Sequence, residues 1–348
     1  MQNTPFVSVL MPVRNEGAFI ARSLGAVVSQ DYPRDRLEVI VSDGMSTDST
    51  REVIADMSRE HTNVTLIDNP EKIVATGLNR ALRVARGEII VRVDGHCEIA
   101  SDYVRACVLH LLDDQAECVG GPLETIGETF TAQAIATAMS SRFGVGGSTF
   151  RLGTNEARLT DTVAFPAYKR ETIQRAGDFD EELVRDQDDE YNYRVRKLGG
   201  RVLLSPDIHS RYYSRAGLVS LWKQYFGYGY WKVRVLQKHP RQMRSRQFVP
   251  PLFVLALVLL LLTTPFLKGS LLLIAASLLG YAVTNLLAAI AAARKRKWRL
   301  LLLLPMAFTI IHFAYGAGFL LALVRFCNRW EFSQSVKVVQ ASRDAASL

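Results

Sequence analysis

Short runs of β-branched and other apolar residues alternate, over the first 210 positions, with longer stretches whose apolar residues recur at helical spacing. The short runs predict buried strands at 6–11, 37–41, 64–67, 88–94, 118–120, 162–168 and, last, 201–205. The longer stretches predict helices at 18–29, 73–86, 101–113, 130–139, 170–176 and 191–198, with a further helix capped by Thr47 or Asp48. This alternation predicts an α/β fold with a doubly wound, mostly parallel sheet and helices on both faces.

A glycine-rich segment, SRFGVGGSTFR at 141–151, interrupts the alternation. No Lys-Ser/Thr pair follows it, so its spacing is not that of a phosphate-cradling loop. We expect a flexible loop that covers a bound substrate, rather than a segment that binds phosphate directly.

Three long apolar stretches follow, at 248–267, 270–293 and 300–324. Each is about long enough for a helix to cross a hydrocarbon layer ~30 Å thick. Aromatic and basic residues interleave just before them, at 218–236, which is typical of a membrane interface; nucleic-acid stacking is the competing interpretation. The expected organisation is a large domain at 1–215, interfacial helices at 216–247, about three transmembrane helices at 248–326 and a tail at 327–348.

The membrane topology follows from the basic residues. A cluster at 294–299 lies between the second and third apolar stretches, and such clusters mark cytoplasmic flanks. Three spans then place the carboxyl terminus outside, which Arg325 and Arg329 disfavour, so a re-entrant span remains an alternative. Asn285 and His312 lie within the apolar stretches, where we expect each to hydrogen-bond a neighbouring helix; a functional role is the alternative.

Charge and cysteine content narrow the possible binding partners and the cellular compartment. The net charge of +8 suits nucleic acid or an anionic membrane, and the position of the basic clusters beside the apolar stretches favours the membrane. No amino-terminal secretory signal is visible, so the large domain is expected in the cytosol. The four cysteines form no CxxC pair, which predicts unpaired thiols in a reducing compartment and gives no support for a zinc site.

Polar side chains follow the predicted strands at the carboxyl edge of the sheet, where ligands of open α/β sheets bind. Asp43 follows the second strand, and Asp94, Gly95 and His96 end the central one. An aspartate and an imidazole at that edge could hold a divalent cation that bridges two phosphates. Asp-Gly is equally an ordinary turn signal, so the triplet alone does not decide between a cation site and a turn.

A second acidic group, RDQDDE at 185–190, precedes the helix predicted at 191–198. Acidic residues stabilise the first turn of a helix through its dipole, so one interpretation is a well-capped surface helix. Four carboxylates within five positions exceed what capping needs, and their repulsion favours instead a site with a raised-pKa carboxylate or a bound cation.

Taken together, these motifs resemble the family-2, inverting glycosyltransferases with a GT-A fold. The likeness covers roughly residues 6–210 and lies in VSVLMPVRNE, VSDGMSTDST, GLNRALRVARGEIIVRVDGH and GDFDEELVRDQDDEYNYRVRKLGGRV. Within the family, the DGH triplet, SRFGVGGSTFR and QYFGYGYWK are similar to the succinoglycan-type exopolysaccharide glycosyltransferases.

The resemblance implies a role for each matching position. Pro12, Asn15 and Glu16 would border the nucleotide, Asp43 would recognise its uracil or ribose, and Asp94 would bind the sugar diphosphate. Asp94 and His96 would hold a divalent cation, Mn²⁺ or Mg²⁺, with His96 standing where most relatives have a second aspartate. The residues implied as catalytic are Asp188 as the general base, with Asp189 and Glu190 as possible substitutes.

The resemblance also implies the substrates. The donor would be a nucleotide sugar, with UDP-glucose as the first candidate, and the acceptor a polyprenyl-diphosphate-linked saccharide at a bacterial-type inner membrane. The protein would be multi-pass with a cytosolic catalytic domain, without a nucleic-acid partner, and with other exopolysaccharide-assembly enzymes as candidate partners. Alternatives are a processive polysaccharide synthase, although its QxxRW motif is absent, a polyprenyl-phosphate glycosyltransferase, and a catalytically inactive membrane-anchored scaffold.

Overall fold

A computed structural model describes residues 4–214 and 216–330. The strands are β1 Val7–Val13, β2 Leu37–Asp43, β3 Val64–Asp68, β4 Ile89–Arg92, β5 Cys97–Ile99, β6 Cys118–Gly121, β7 Leu123–Ile126, β8 Arg158–Leu159, β9 Ala164–Lys169, β10 Val202–Leu204 and β11 Ser210–Tyr213. The helices are α1 Ile20–Val28, α2 Thr50–Glu60, α3 Val74–Val84, α4 Tyr103–Leu112, α5 Phe130–Met139, α6 Arg142–Val145, α7 Thr149–Leu152, α8 Arg170–Ala176, α9 Gln187–Lys197, α10 Leu218–Lys238, α11 Val249–Thr263, α12 Ser270–Lys295 and α13 Leu304–Arg325, with 3₁₀ turns at Arg34–Arg36, Ser245–Phe248 and Trp298–Leu302.

The main sheet has eight strands in the order β3-β2-β1-β4-β9-β6-β10-β8. Strands β3, β2, β1 and β4 run parallel, as do β6 and β10, while β9 is antiparallel to both β4 and β6. A second sheet of three short strands has the order β5-β11-β7. The α/β prediction is therefore confirmed, with the antiparallel β9 joining two parallel groups of strands.

Both faces of the main sheet are buried. Leu10 and Ile40 point to one face and pack with Leu78 of α3 in a core cluster, each at most 2 % exposed. Val9 and Val39 point to the other face and are fully buried. Because successive strand residues point to opposite faces, burial of both sets confirms that both faces of the sheet are covered.

Several local predictions are corrected. The segment at 141–151 is not simply a loop, since it contains α6 and α7. Helix α9 starts at Gln187, so the acidic residues form its first turn, and β11 follows the strand that was expected to be last. Helix α2 starts at Thr50 after Ser49, although Asp48 still accepts a hydrogen bond from the Thr50 amide. Each miss involves an element of four residues or fewer, or an end of a helix, where periodicity carries little information.

The chain divides into two compact units. The first ends at Ser220 and also includes Thr284–Phe308; the second consists of Leu221–Val283 and the described residues from Thr309 onwards. Of the predicted tail 327–348, positions 331–348 lie outside the described residues.

Three helices in the described part of the chain are long and apolar enough to cross a membrane: Ser245–Thr263, Ser270–Lys295 and Leu304–Arg325. They coincide with the three predicted stretches. The two polar residues within them bond to neighbouring helices as expected, because Asn285 donates to the Pro305 carbonyl at 3.0 Å and His312 bonds the Tyr281 hydroxyl at 3.0 Å.

Within the second unit, α10 packs against α13 at close range. A Cβ atom at Gly229 would lie 2.0 Å from the Tyr315 carbonyl oxygen, and one at Gly318 would lie 2.1 Å from the Phe226 carbonyl oxygen. Only glycine allows backbones to approach this closely. Arg234, on α10, is 2 % exposed and donates to carbonyl and amide oxygens inside the unit.

Candidate active site

The carboxyl ends of β1, β2, β3 and β4 meet at one edge of the main sheet, where Asp43 and Asp68 lie side by side in register. Asp43 is fully buried and accepts hydrogen bonds from Ser46 and from Arg51, whose Nη1 lies 2.7 Å away. The other terminal nitrogen of Arg51 lies 2.8 Å from Asp68. The hydrogen bonds to these carboxylates raise the pKa of the Arg51 guanidinium, so it stays charged between them.

The loop after β1 is fastened to the loop after β2. Asn15 takes a left-handed conformation with φ of 54°, which asparagine tolerates better than most residues. Its amide donates to Ser46 and its side-chain oxygen accepts from the Thr47 amide, both at 2.9 Å. Pro12 is buried in β1 beside Ser42. These contacts fix the backbone that leads to Glu16.

Glu16 and His96 form a pair beside this loop. The Glu16 Oε1 atom lies 2.9 Å from His96 Nδ1, and both side chains are more than four-fifths buried. Gly95 makes the approach possible, since a Cβ there would lie 2.9 Å from the Glu16 Cγ atom. The His96 ring also packs edge-on against Tyr212 of β11, with centroids 4.9 Å apart.

A carboxylate on Nδ1 fixes the tautomer of an imidazole. With the proton on Nδ1 held by Glu16, the Nε2 lone pair of His96 is left to bind a cation, which is the usual arrangement around a metal-binding histidine. The resemblance implies that Glu16 borders the nucleotide, and in the structure its carboxylate bonds His96 Nδ1.

Arg92, the last residue of β4, joins the two acidic groups that the sequence singled out. Its Nε and Nη2 atoms donate to Asp94 Oδ1 at 3.2 and 2.9 Å, and its Nη1 atom lies 3.6 Å from Asp188 Oδ2. Burial alone would lower the pKa of this guanidinium, but the charges of Asp94 and Asp188 raise it above its ordinary value. One buried cation thus contacts both carboxylates, although 93 residues of chain lie between them.

The first turn of α9 separates its acidic residues into different surroundings. Glu190 is 1 % exposed and accepts two hydrogen bonds from Arg194, at 2.7 and 3.0 Å. Asp188 keeps 39 % of its side chain exposed and accepts from the Asp189 amide at 2.9 Å. Asp186, directly before the helix, has a left-handed φ of 61°. Asp188 is therefore the carboxylate of this turn that contacts Arg92 and is also open to solvent.

Few side chains at this edge could bind a divalent cation. Within the described residues, no three His, Cys, Asp or Glu side chains are grouped so that they could hold a metal ion by themselves. Asp94 and His96 are separated by one residue, and the hydrogen bonds from Arg92 go to Oδ1 of Asp94, which leaves Oδ2 as a ligand. A carboxylate and an imidazole fit Mn²⁺ or Mg²⁺ only if a bound substrate supplies further oxygen atoms.

Sequence reasoning missed Arg92, Arg51 and Tyr212. The signal for Arg92 was present, because a charged residue stands inside the apolar run EIIVRVD, two positions before Asp94. A buried charge of this kind needs a partner, and the adjacent Asp94 was the obvious candidate. Tyr212 lies on a strand of four residues, which is too short to be predicted from alternation.

Comparison with known proteins adds independent information. Residues 8–175 match the family described as Glycosyl transferase family 2. The chain is 29 % identical, over 92 % of its length and 96 % of the relative, to the succinoglycan biosynthesis protein ExoA of Rhizobium meliloti (strain 1021). It is 27 % identical, over 67 % of its length and 74 % of the relative, to dolichyl N-acetyl-alpha-D-glucosaminyl phosphate 3-beta-D-2,3-diacetamido-2,3-dideoxy-beta-D-glucuronosyltransferase of Methanococcus voltae.

A solved structure shares the architecture. The mannosyltransferase PcManGT from Pyrobaculum calidifontis, in complex with GDP-Man and Mn²⁺, superposes with a TM-score of 0.57 at 24 % identity, covering 92 % of this chain and 88 % of that one. At this identity the likeness concerns the fold. The predicted GT-A fold, followed by apolar carboxyl-terminal helices, is confirmed.

Proposed function

Residues 8–175 form a Glycosyl transferase family 2 domain, and on this premise we propose that the chain is an inverting glycosyltransferase. It moves a hexose, with glucose from UDP-glucose as the first candidate, from a nucleotide sugar to a polyprenyl-diphosphate-linked saccharide. The succinoglycan biosynthesis protein ExoA, to which the chain is similar over nearly its whole length, supports a role in exopolysaccharide synthesis.

The convergence of Asp94 and Asp188 on Arg92 is the observation that carries this proposal. A transferase needs one group at the leaving diphosphate and another at the attacking hydroxyl, on opposite sides of the same sugar. Two carboxylates that touch one guanidinium, at 2.9 and 3.6 Å, are close enough to border a single hexose. Their contact with Arg92 also balances the repulsion that two acidic groups would otherwise exert on each other.

Asp188 is the proposed general base. It accepts the proton of the acceptor hydroxyl as that oxygen forms a bond to the anomeric carbon. The bond from the anomeric carbon to the diphosphate breaks, and its electron pair leaves on the nucleoside diphosphate. Because attack and departure occur on opposite sides, the configuration inverts. Pairing of Glu190 with Arg194 supports Asp188 over Glu190 in this role, while Asp189 remains the alternative.

Asp94 and His96 are the residues that would hold a divalent cation, Mn²⁺ or Mg²⁺, together with the donor diphosphate. Such a cation supplies charge neutralisation for the departing diphosphate. The chain's own side chains orient these ligands and form the rest of the donor site. Glu16 orients His96, Arg92 orients Asp94, and Asp43 with Arg51 forms the buried polar end of the edge where a nucleoside base or ribose would bind.

The apolar helices support a membrane-bound acceptor. A multi-pass protein of a bacterial-type inner membrane, with its catalytic domain in the cytosol, would meet a polyprenyl-linked saccharide at the headgroup plane. The relative from Methanococcus voltae, named for a dolichyl-phosphate-linked sugar, supports a lipid-linked acceptor. Other exopolysaccharide-assembly enzymes remain candidate partners.

The test is a transfer assay with the full-length protein in native membranes. A panel of labelled nucleotide sugars, headed by UDP-glucose, is supplied with polyprenyl-diphosphate-linked saccharides, with and without Mn²⁺. We expect one donor to label the lipid fraction by a single sugar, and membranes carrying Asp188→Asn to give none. A ladder of products would indicate a processive synthase, labelling of bare polyprenyl phosphate would indicate a polyprenyl-phosphate transferase, and the absence of transfer from every donor would favour a scaffold.

A further inference from the structure

A cavity lies in the first compact unit, against the three-stranded sheet β5-β11-β7. Its volume is about 660 Å³, within the usual range for ligand sites. The strand ends form one wall, the carboxyl end of α7 forms another, and Arg296 borders it from the basic segment at 294–299. None of the residues assigned above to the donor, the cation or the base lines this cavity.

Three arginines line the cavity, and they differ in their partners. Arg211 lies 3.4 Å from Glu124 and 3.9 Å from Glu98, so its charge is balanced by two carboxylates. In residues 4–214 and 216–330, Arg151 and Arg296 form no ion pair with a carboxylate. The cavity lining thus carries three guanidinium groups against two carboxylates, and Arg151 and Arg296 are the two guanidinium groups that are not paired with either carboxylate.

Two buried hydroxyl groups in the cavity wall also lack partners. Thr125 is 7 % exposed and Ser210 is 4 % exposed, and neither side-chain oxygen has a hydrogen-bond partner among the described residues. The Nη1 atom of Arg151 is buried and likewise without a hydrogen bond there. Buried polar groups are nearly always bonded, so three unbonded donors on residues that line one cavity fit a ligand that reaches them. All three can donate, which selects a ligand rich in acceptor atoms.

The cavity is one aromatic ring away from the candidate active site. Arg151 lies over the Tyr212 ring, with its guanidinium carbon 5.9 Å from the centroid, and His96 packs against the same ring. The cavity is also lined by Arg296, which in sequence lies between two helices able to cross a membrane. A ligand in the cavity thus lies between the catalytic edge and a segment expected at the headgroup plane.

We propose that this cavity is a phosphate-binding subsite in which Arg151 and Arg296 hold the diphosphate of the lipid-linked acceptor. Guanidinium groups bind phosphate oxygens through paired, charge-assisted hydrogen bonds, and the hydroxyls of Thr125 and Ser210 supply further donors. The identification of the diphosphate as the acceptor's rests on the proposed function. Binding there would let the saccharide extend past Tyr212 towards Asp188.

The test measures binding of radiolabelled farnesyl diphosphate, a prenyl diphosphate without sugar, to the full-length protein in phosphatidylcholine nanodiscs. EDTA is present, so that the cation site cannot hold the diphosphate. We expect saturable binding by the unmodified protein, and affinity about ten-fold weaker for Arg151→Gln and for Arg296→Gln, as loss of a charge-assisted hydrogen bond predicts. Arg299→Gln, the same change in the same segment but outside the cavity, is the control and should bind normally.

Two further arms separate the possible sources of the phosphate. Competition by inorganic pyrophosphate supports recognition of the diphosphate itself. Loss of farnesyl diphosphate binding in nanodiscs that contain phosphatidylglycerol would overturn the acceptor assignment in favour of a phospholipid headgroup. Equal affinities of Arg296→Gln and Arg299→Gln for farnesyl diphosphate would overturn the proposed subsite. Because Arg296 is exposed, its replacement should not disturb folding, so weaker binding by Arg296→Gln would report the loss of the guanidinium group.

The binding test of the subsite and the transfer test of the proposed function can fail independently. If arginine-dependent binding is found but no nucleotide sugar supports transfer, the subsite stands and the proposed function fails. If transfer is found and the acceptor KM is the same in Arg296→Gln and Arg299→Gln, the proposed function stands and the subsite fails.

Discussion

Asp188→Asn is expected to abolish sugar transfer while leaving donor binding nearly unchanged. The substitution keeps the size of the side chain and an oxygen that can accept from the Asp189 amide, but it removes the basic carboxylate. Loss of a general base typically lowers the rate about 10²- to 10⁴-fold, equivalent to roughly 3–5 kcal/mol in the activation barrier.

The cost to folding should be much smaller. The charge pair between Arg92 and Asp188, 3.6 Å apart, is worth about 1 kcal/mol in water and about 4 kcal/mol at the dielectric of a protein surface. Because 39 % of the Asp188 side chain is exposed, we expect a loss near the lower value, with Arg92 still held by Asp94. Donor affinity should change by less than about three-fold, since Asp94 and His96 remain in place.

The assay pairs calorimetric titration of the nucleotide sugar with single-turnover transfer, both on full-length protein with Mn²⁺. Asp189→Asn is the matched control, because it removes the same charge one residue further along α9. Transfer by Asp188→Asn above about a tenth of the normal rate would refute the assignment. So would a parallel loss of donor binding, and inactivity of Asp189→Asn alone would move the role of base to Asp189.

The other predictions concern the cation and the sheet. Glu16→Gln should raise the Mn²⁺ concentration needed for half-maximal activity about ten-fold, because an amide orients His96 less firmly than a carboxylate does. Glu52→Gln, on the exposed side of α2, is the control. An unchanged Mn²⁺ requirement in Glu16→Gln would contradict the role assigned to Glu16. Glu38→Gln should lower stability at pH 7 by about 2 kcal/mol, since the buried Glu38 carboxylate accepts from Ser8 and Arg86. Although burial alone would raise the pKa of Glu38, these hydrogen bonds lower it below its ordinary 4.5, so its contribution is present above that pH and is lost as the pH falls through the lowered value. Thermal unfolding from pH 7 to pH 3 checks this, and a constant difference between Glu38→Gln and the unmodified protein at all pH values would contradict it.

The main sheet could be predicted because its strands carry strong signals. Residues 37–41 and 64–67 are mostly apolar and bounded by turn residues, and the structure has strands there at Leu37–Asp43 and Val64–Asp68. The edge where Asp43 and Asp94 lie follows from the parallel arrangement alone, since parallel strands end at a common edge.

The partners of the site residues could not be predicted. Arg92 contacts Asp188 because β9 brings the second half of the sheet beside β4, and no local pattern specifies such a long-range pairing. Whether Glu190 or Asp188 is the open carboxylate depends on Arg194, one helical turn further on, turning back over the helix. The Arg92 contact belongs to tertiary packing, which spacing along the chain does not encode. The Glu190–Arg194 pair has i,i+4 helical spacing, and it was missed because the helix was predicted to begin at 191.

The position of β9 has a consequence for how the protein is made. Strands β1 to β4 pair with one another, so all of their partners exist once Arg92 has been made, whereas β4 can pair with β9 only after Lys169 and β6 with β10 only after Val202. During synthesis, then, the half that carries Asp94 exists before the half that carries Asp188, and a nascent chain stalled between them would be a folded fragment without the means to transfer a sugar.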